Sequence, residues 1–134
     1  MEKSKKKILI VEDEKLHLEM YQERFEKAGY QVLTAINGQL GLELAKKEKP
    51  DLVVLDILMP KMDGYEVIKR MKEDARIRKI PILVLSNLGQ DDEIKRGLEL
   101  GADDYVIKTD ITPTGLLNKV KKILNQNNEA HFSR

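Results

Sequence analysis

The stretch Leu52-Val53-Val54-Leu55-Asp56 decides the fold, because four consecutive apolar residues are followed directly by one aspartate. Continuous rather than alternating apolar residues are typical of a strand that is buried on both faces of a parallel sheet. Further short apolar runs, each bounded by charged or turn-forming residues, cover residues 8–11, 31–36, 82–85 and 105–107. The sequence therefore predicts five buried strands.

The segments between these runs have the periodicity of amphipathic helices, with apolar residues every three or four positions. The first helix is followed by Gly29, a typical stop. The last begins with Thr112 as the N-cap and Pro113 at the first helical position. The predicted apolar stripes are Leu18, Tyr21, Phe25 and Ala28; Leu40, Leu44 and Ala45; Val67, Ile68 and Met71; Ile94, Gly97 and Leu98; and Leu116, Leu117, Val120, Ile123 and Leu124.

Strand and helix patterns alternate five times, which favours an α/β fold with a parallel sheet between two layers of helices. Because crossovers between parallel strands are right-handed, a doubly wound (βα)5 sandwich is the simplest arrangement. We expect a flexible basic arm over residues 1–6, one domain over residues 7–126 and a polar tail over residues 127–134. From the length of 134 residues we expect one domain, without an effector.

The composition excludes several classes of function. Without cysteine the chain has no thiol nucleophile, no disulfide and no zinc–cysteine site. The 24 basic and 23 acidic residues give a net charge of +1, so no global basic field favours nucleic acid. No stretch approaches the roughly 20 apolar residues of a membrane helix. We therefore expect a cytoplasmic protein with no membrane insertion and no direct binding of nucleic acid.

Polar side chains follow four of the five predicted strands. Glu12 and Asp13 follow the first strand, Asp56 the third, Ser86 the fourth and Lys108 the fifth. Ligands of an open doubly wound sheet bind beyond the carboxyl ends of its strands, so we expect these side chains to converge there. A single aspartate at a strand end is usually a cap or a solvated turn; the joint pattern is what indicates a site.

The chemistry of this group follows from its charges. Two carboxylates about 4 Å apart repel each other by roughly 4 kcal/mol at an effective dielectric constant near 20. Mg²⁺ offsets such repulsion, since it favours one or two carboxylates together with water and phosphate oxygens. Lys108 adds a second positive charge, and Ser86 adds a hydroxyl group. This set indicates phosphoryl transfer, in which one carboxylate attacks in line.

These residues resemble the response-regulator receiver domain, the CheY-like family of two-component signalling. The resemblance covers about residues 7–126, and its most specific part is Asp56-Ile57-Leu58-Met59-Pro60-Lys61-Met62-Asp63-Gly64. It also includes Val11-Glu12-Asp13, Ser86, Gly101-Ala102-Asp103-Asp104-Tyr105 and Lys108. The family is a known example of the flavodoxin-like strand order 2-1-3-4-5, so the resemblance implies that order here.

The resemblance also implies roles for individual residues. Asp56 resembles the phosphoacceptor, which takes its phosphoryl group from a sensor histidine kinase, a phosphotransfer protein or a small donor. Asp13, Asp56 and the backbone carbonyl of Leu58 would bind Mg²⁺, with Glu12 acting through water. Lys108 would pair with Asp56 and then with the phosphoryl group. Such a domain is not an enzyme beyond its own phosphorylation and autodephosphorylation.

A switch is implied as well. Ser86 would swing to bond a phosphoryl oxygen, and Tyr105 would rotate into the vacated space. This coupling would reshape the face formed by helix four, strand five and helix five, and so control the binding of a downstream protein. The added negative charge favours the switched arrangement, so the populations shift.

Two departures from the family pattern leave other interpretations open. Thr109 stands where a cis proline usually follows the lysine, and we expect a trans peptide because a non-proline cis bond costs about 2.5–4 kcal/mol. Asn87 stands where a small residue is common. These departures support the alternative of a pseudo-receiver, which docks partners without phosphorylation. A Mg²⁺-dependent phosphohydrolase is a separate alternative, since such enzymes also combine a doubly wound fold with an aspartyl nucleophile, although they typically place it after the first strand. His17 and His131 lie away from the strand ends and are expected to be exposed.

Overall fold

In a computed structural model, the backbone is described for residues 5–132 and the side chains for residues 5–126. Residues 1–4 of the expected basic arm and the last two residues of the expected tail lie outside the described part. The strands are β1 Lys7–Val11, β2 Gln31–Ala35, β3 Leu52–Leu55, β4 Ile82–Ser86 and β5 Asp104–Ile107. The α-helices are α1 Lys15–Lys27, α2 Gly38–Glu48, α3 Gly64–Glu73, α4 Asp91–Leu100 and α5 Pro113–Phe132.

The five strands form one parallel sheet in the order β2-β1-β3-β4-β5, as the resemblance implied. In the register of the sheet, Val11 of β1 lies opposite Leu55 of β3, and Leu55 lies opposite Val84 of β4. Ser86 at the end of β4 lies opposite Ile107 at the end of β5. The residues that follow β1, β3 and β5 therefore leave the sheet at the same edge as Ser86.

Helices cover both faces of the sheet, because alternate strand residues are apolar on either side. In β1, Leu9 and Val11 belong to a core shared with α2 and α3, whereas Ile8 and Ile10 belong to a core shared with α1 and α5. All four of these β1 residues are at most 1 % exposed. The expected three-layer α/β sandwich is confirmed.

Three of the predicted apolar stripes need correction. Ala28, the C-cap of α1, is exposed. Leu40 of α2 is 42 % exposed, and Leu42, which the periodicity did not select, is buried instead. Leu98 of α4 is 43 % exposed, while Gly97 is the buried residue of that helix. α2 packs on β1 and β2 and α4 packs on β5, so each helix covers an edge strand and buries a narrower stripe than a three- and four-residue repeat implies.

The loop between β3 and α3 fixes the backbone around Asp56. Asp63 caps α3 by accepting a hydrogen bond from the Glu66 backbone N–H at 3.0 Å. The Gly64 backbone N–H donates to the Ile57 carbonyl at 2.8 Å. A Cβ at Gly64 would overlap the Asp56 carbonyl oxygen, so this close approach requires glycine. The loop therefore folds back against Asp56, the residue that follows β3.

The last helix begins as the sequence predicts. Thr112 Oγ1 accepts a hydrogen bond from the Gly115 backbone N–H at 3.0 Å, and Pro113 is the first helical residue. The backbone stays helical to Phe132, beyond the last residue of the apolar stripe, Leu124. None of the helices described here is long and apolar enough to span a bilayer.

Candidate functional site

A buried ion cluster lies at the carboxyl edge of the sheet. Lys108 Nζ donates to Glu12 Oε1 at 2.6 Å and to Asp56 Oδ2 at 3.0 Å. The exposed fractions of the three side chains are 6 % for Lys108, 3 % for Glu12 and 8 % for Asp56. Each residue follows the end of a different strand, so the strand order places them in contact. We call Glu12, Asp56 and Lys108 the carboxyl-edge cluster.

Backbone amides hold both carboxylates of this cluster. Asp56 Oδ1 accepts a hydrogen bond from the Ile57 N–H at 2.7 Å, and Glu12 Oε2 accepts one from the Glu14 N–H at 3.0 Å. Each carboxylate therefore uses one oxygen for Lys108 and the other for the backbone. Hydrogen bonds of this kind, in which one partner is ionised, are about twice as strong as neutral ones.

Burial and hydrogen bonding act in opposite directions on the pKa values of Glu12 and Lys108. Burial raises the pKa of the Glu12 carboxyl, although hydrogen bonds from Lys108 and from the Glu14 amide act in the lowering direction. Burial acts to lower the pKa of the Lys108 ammonium, but its bonds to Glu12 and Asp56 outweigh burial and the pKa is raised. The lysine is therefore held as a cation.

A third carboxylate completes an oxygen-rich group. Carboxylate oxygens of Glu12, Asp13 and Asp56 all lie within 4.8 Å of one another. Asp13 is exposed, whereas the other two are buried, so the group opens to solvent on the Asp13 side. Hard oxygen donors with a net negative charge fit a divalent cation such as Mg²⁺. Leu58, two residues beyond Asp56, lies in the adjoining loop with its side chain 61 % exposed.

Ser86 and Tyr105 meet at the backbone of Leu88. Ser86 is 1 % exposed, and its Oγ accepts a hydrogen bond from the Leu88 N–H at 3.3 Å. The Tyr105 hydroxyl donates to the Leu88 carbonyl at 2.6 Å, and the side chain is 9 % exposed. Burial raises the pKa of the Tyr105 phenol. The two residues that the resemblance assigns to a switch therefore share one peptide segment.

His17 is closer to the site than the sequence analysis expects. It is half-buried rather than exposed, and its Nδ1 lies 3.3 Å from Glu14 Oε2. Glu12, Glu14 and His17 each place one ligand-type atom within 4.8 Å of the others. The signal in the sequence was the i, i+3 spacing of Glu14 and His17 at the start of α1. The side chain of His131 lies outside the described residues.

A cavity of about 340 Å³ opens beside the carboxyl-edge cluster, between α1 and the start of α5. Its lining includes His17, Asn87, Lys108 and Thr109. Lys108 begins a short 3-10 turn that ends at Asp110, and no peptide bond between described residues is cis. The expected trans peptide after Lys108 is therefore present, and the lysine still reaches both carboxylates.

Comparison with known proteins identifies relatives of the whole chain. Residues 8–121 match the family model described as "Response regulator receiver domain". The "Probable transcriptional regulator ycf27" of Guillardia theta is 42% identical over 130 residues, which are 97% of this chain and 50% of that protein. The "Alkaline phosphatase synthesis transcriptional regulatory protein PhoP" of Bacillus subtilis is 42% identical over 125 residues, 93% of this chain and 51% of its own length. The chain thus spans about half the length of these curated relatives.

A solved structure has the same fold. The CheY-like response regulator receiver domain protein of Methanospirillum hungatei JF-1 superposes with a TM-score of 0.88 at 28% sequence identity. The match covers 95% of this chain and 99% of that one. Both the sequence and the backbone therefore place the chain in a single family.

Proposed function

This chain belongs to the response-regulator receiver domain family of two-component signalling, and we propose that it is a phosphoacceptor switch whose acceptor is Asp56. The observation that carries the proposal is the carboxyl-edge cluster, in which a buried lysine bonds the Asp56 carboxylate. The functional unit in this proposal is the domain over residues 7–126. We propose no enzymatic activity beyond its own phosphorylation and autodephosphorylation.

The acceptor role of Asp56 rests on nucleophilic attack by its carboxylate. An Asp56 oxygen would attack phosphorus in a phosphohistidine or in acetyl phosphate, while the bond between phosphorus and the donor's nitrogen or oxygen breaks. The donor leaves as histidine or acetate, and the phosphoryl group stays on Asp56 as an acyl phosphate. Lys108 would neutralise charge on the transferred oxygens, since its ammonium lies 3.0 Å from Asp56 Oδ2.

The oxygen donors of Glu12, Asp13 and Asp56 fit Mg²⁺, with the Leu58 carbonyl proposed as a further ligand. When bound, Mg²⁺ supplies positive charge to the phosphoryl oxygens. Asp13, the exposed carboxylate, would be the ligand on the solvent side, where a donor arrives. Glu12 already bonds Lys108 directly, so we propose that it acts on the ion through water while it holds the lysine in place.

The switch would operate through Ser86 and Tyr105. A phosphoryl oxygen on Asp56 would attract the Ser86 hydroxyl and draw it away from its bond to the Leu88 amide. The Tyr105 side chain is already buried, and its hydroxyl donates to the Leu88 carbonyl, so movement of Ser86 would change the contacts of the same residue, Leu88. We propose that this alters the face formed by α4, β5 and α5, and thereby the affinity for a downstream protein.

The proposed upstream partner is a sensor histidine kinase or a phosphotransfer protein in the cytoplasm. Relatives that this chain matches over about half of their length are named transcriptional regulators. We propose that the described domain itself binds protein partners rather than nucleic acid, and that it does not insert into membrane. The net charge of the full 134-residue chain is +1, which agrees with the absence of a global basic field.

The experiment treats the protein with acetyl phosphate, with Mg²⁺ or with EDTA, and measures intact mass. We expect the mass of one added phosphoryl group in the wild type with Mg²⁺, and none in Asp56→Asn or with EDTA. Asp92→Asn, which changes an exposed aspartate of α4, is the matched control and should be modified like the wild type. An unmodified wild type at saturating donor would refute the acceptor role and favour the pseudo-receiver, whereas repeated turnover of simple phosphoesters would favour a phosphohydrolase.

A further inference from the structure

The Tyr105 ring occupies a slot between α3 and α4. Its hydroxyl donates to the Leu88 carbonyl at one end of the slot. Tyr65 of α3 is 7 % exposed and lies close to the Tyr105 hydroxyl. Burial is the main cause that raises the pKa of Tyr105, and the neighbouring Tyr65 raises it further. The ring is therefore enclosed by both helices rather than resting on the surface.

Gly97 of α4 forms the wall on the other side of the ring. A Cβ built at Gly97 would lie 2.9 Å from Cδ2 and 3.0 Å from Cε2 of Tyr105. Carbon atoms pack at about 3.5–4.0 Å, so a side chain of any size at this position would overlap the ring. Glycine is unfavourable in the interior of a helix, because the unfolded chain loses more freedom there than it would with alanine. The close approach of the ring explains why glycine suits this position.

The two helices that form the slot are tied to each other, and the Tyr105 ring is held in it by the bond from its hydroxyl to the Leu88 carbonyl. The Tyr65 hydroxyl donates to the Glu93 carbonyl at 3.1 Å, which fastens α3 to the first turn of α4. The Arg96 guanidinium lies 4.1 Å from the centre of the Tyr65 ring, a cation–π contact that adds to this attachment. Rotation of Tyr105 about its own side-chain bonds would take the ring out of the slot and break the bond to the Leu88 carbonyl.

We propose that Gly97 is a positioning residue for Tyr105, and that its missing side chain sets the fraction of molecules with the ring inward. The inward ring is a property of the unphosphorylated chain in this proposal. Its consequence for signalling rests on the proposed function, since a filled slot would hold Tyr105 outward and uncouple it from Ser86. In this proposal the absence of a methyl group at Gly97 of α4 determines how many molecules hold the Tyr105 ring in the slot, and so how strongly Tyr105 is coupled to Ser86.

The first test labels the protein with 3-fluorotyrosine and records ¹⁹F NMR spectra without phosphoryl donor or Mg²⁺. The four tyrosines give separate signals, and Tyr105→Phe identifies the one of interest. In Gly97→Ala we expect the Tyr105 signal to move towards that of the denatured protein, and further in Gly97→Ser. Lys95→Ala, an exposed change in the same helix, should leave it in place. A Tyr105 signal that is the same in wild type and Gly97→Ala would overturn the proposal.

The second test separates the ring contact from helix propensity and covers the case of an unstable variant. Gly97→Ala is introduced into the wild type and into Tyr105→Ala, and the midpoints of urea unfolding are compared. Alanine is the better helix former, so in Tyr105→Ala, where the ring is absent, the midpoint should rise. In the wild type the midpoint should fall or rise less. Equal shifts in the two backgrounds would show that Gly97 does not act through the ring.

A third measurement distinguishes this proposal from the acceptor role of Asp56. Gly97→Ala should take up a phosphoryl group from acetyl phosphate to the same extent as the wild type, because the residue touches none of the reacting atoms. If Gly97→Ala lost phosphorylation while its Tyr105 signal stayed inward, the proposed action through Tyr105 would be wrong. Failure of the wild type to accept a phosphoryl group would refute the acceptor role alone, since the first two tests need no donor.

Discussion

The two ends of the sheet hold the same kinds of charged group in different surroundings. At the amino end, Lys7 Nζ lies 3.4 Å from Glu48 Oε1, with the side chains 29 % and 31 % exposed. At the carboxyl end, Lys108 contacts two carboxylates, and no side chain of the cluster is more than 8 % exposed. Solvent screens the first pair, whereas the second is held in a medium of low dielectric constant. Burial, rather than the identity of the groups, is what separates a surface contact from a candidate reactive site.

The two ends of the sheet also differ in their excess of negative charge. Near Lys7 the second carboxylate, Asp51, accepts a hydrogen bond from the Lys7 backbone N–H at 2.7 Å, so it acts as a cap for the strand. Near Lys108 a third carboxylate, Asp13, stays exposed beside the two buried ones. The carboxyl end therefore keeps an excess of negative charge that a cation can offset, and the amino end is an anchoring contact.

The largest expected effect comes from removal of Lys108, with removal of Lys7 as the comparison. Lys108→Met leaves Glu12 and Asp56 buried without a cation, so the free energy of unfolding should fall by about 3–5 kcal/mol in EDTA. Lys7→Met, the same change at the partly exposed end, should cost less than about 1 kcal/mol. Urea unfolding followed by circular dichroism measures both. Similar losses in the two variants would remove the distinction between the two ends.

Addition of Mg²⁺ tests the surplus charge. An ion that binds only the folded state stabilises it by about 2.7 kcal/mol at a concentration 100 times its dissociation constant. We expect the wild type to show such an increase in the free energy of unfolding, and Asp13→Asn to show much less. Asp51→Asn, with one carboxylate removed at the amino end, should respond to Mg²⁺ as the wild type does. A full response in Asp13→Asn would argue against ligation by that residue.

The smallest of these expected effects is the pH dependence of the free energy of unfolding, measured in EDTA. Burial raises the pKa of Glu12, so the folded protein holds that proton more tightly than the unfolded chain does. The favourable contribution is complete below the unfolded pKa and is lost as the pH rises through the folded one. Each pH unit between the two pKa values corresponds to about 1.4 kcal/mol.

The measurement compares wild type with Glu12→Gln by urea unfolding from about pH 4 to about pH 7. The free energy of unfolding of the wild type should decline relative to that of Glu12→Gln over this range. Glu48→Gln, at the amino end, is the control for the loss of one negative charge. A constant difference between wild type and Glu12→Gln across the range would contradict the expected direction.

The strands and the convergence of polar groups could be predicted from the sequence because parallel strands all end at one edge. That geometry brings Glu12, Asp56 and Lys108 together whatever the details of the loops. The direct bond between Glu12 and Lys108 could not be predicted. Successive side chains along an extended chain point to opposite faces of the sheet, and the sequence does not say to which face Glu12 points.

Contacts made by helices were harder to predict. Leu40 and Leu98 fit the helical repeat, yet both are exposed, because the width of the buried stripe is set by neighbouring helices that periodicity does not describe. His17 was expected to be exposed, but the first turn of α1 places it beside Glu14. The packing of Gly97 against Tyr105 joins residues from α4 and β5, and a residue without a side chain leaves no apolar signal.

The bond between Lys108 and Glu12 joins residues 96 positions apart, and the bond between Lys108 and Asp56 joins residues 52 positions apart. Contacts this distant in sequence are slow to form, because the entropy of closing a long loop must be overcome first. Lys108 follows β5, whose sheet neighbour is β4, so we expect both bonds to form only once these two strands have paired. Under the proposed function, a nascent or partly folded chain therefore cannot receive a signal, and phosphorylation would mark the molecules that have completed their sheet.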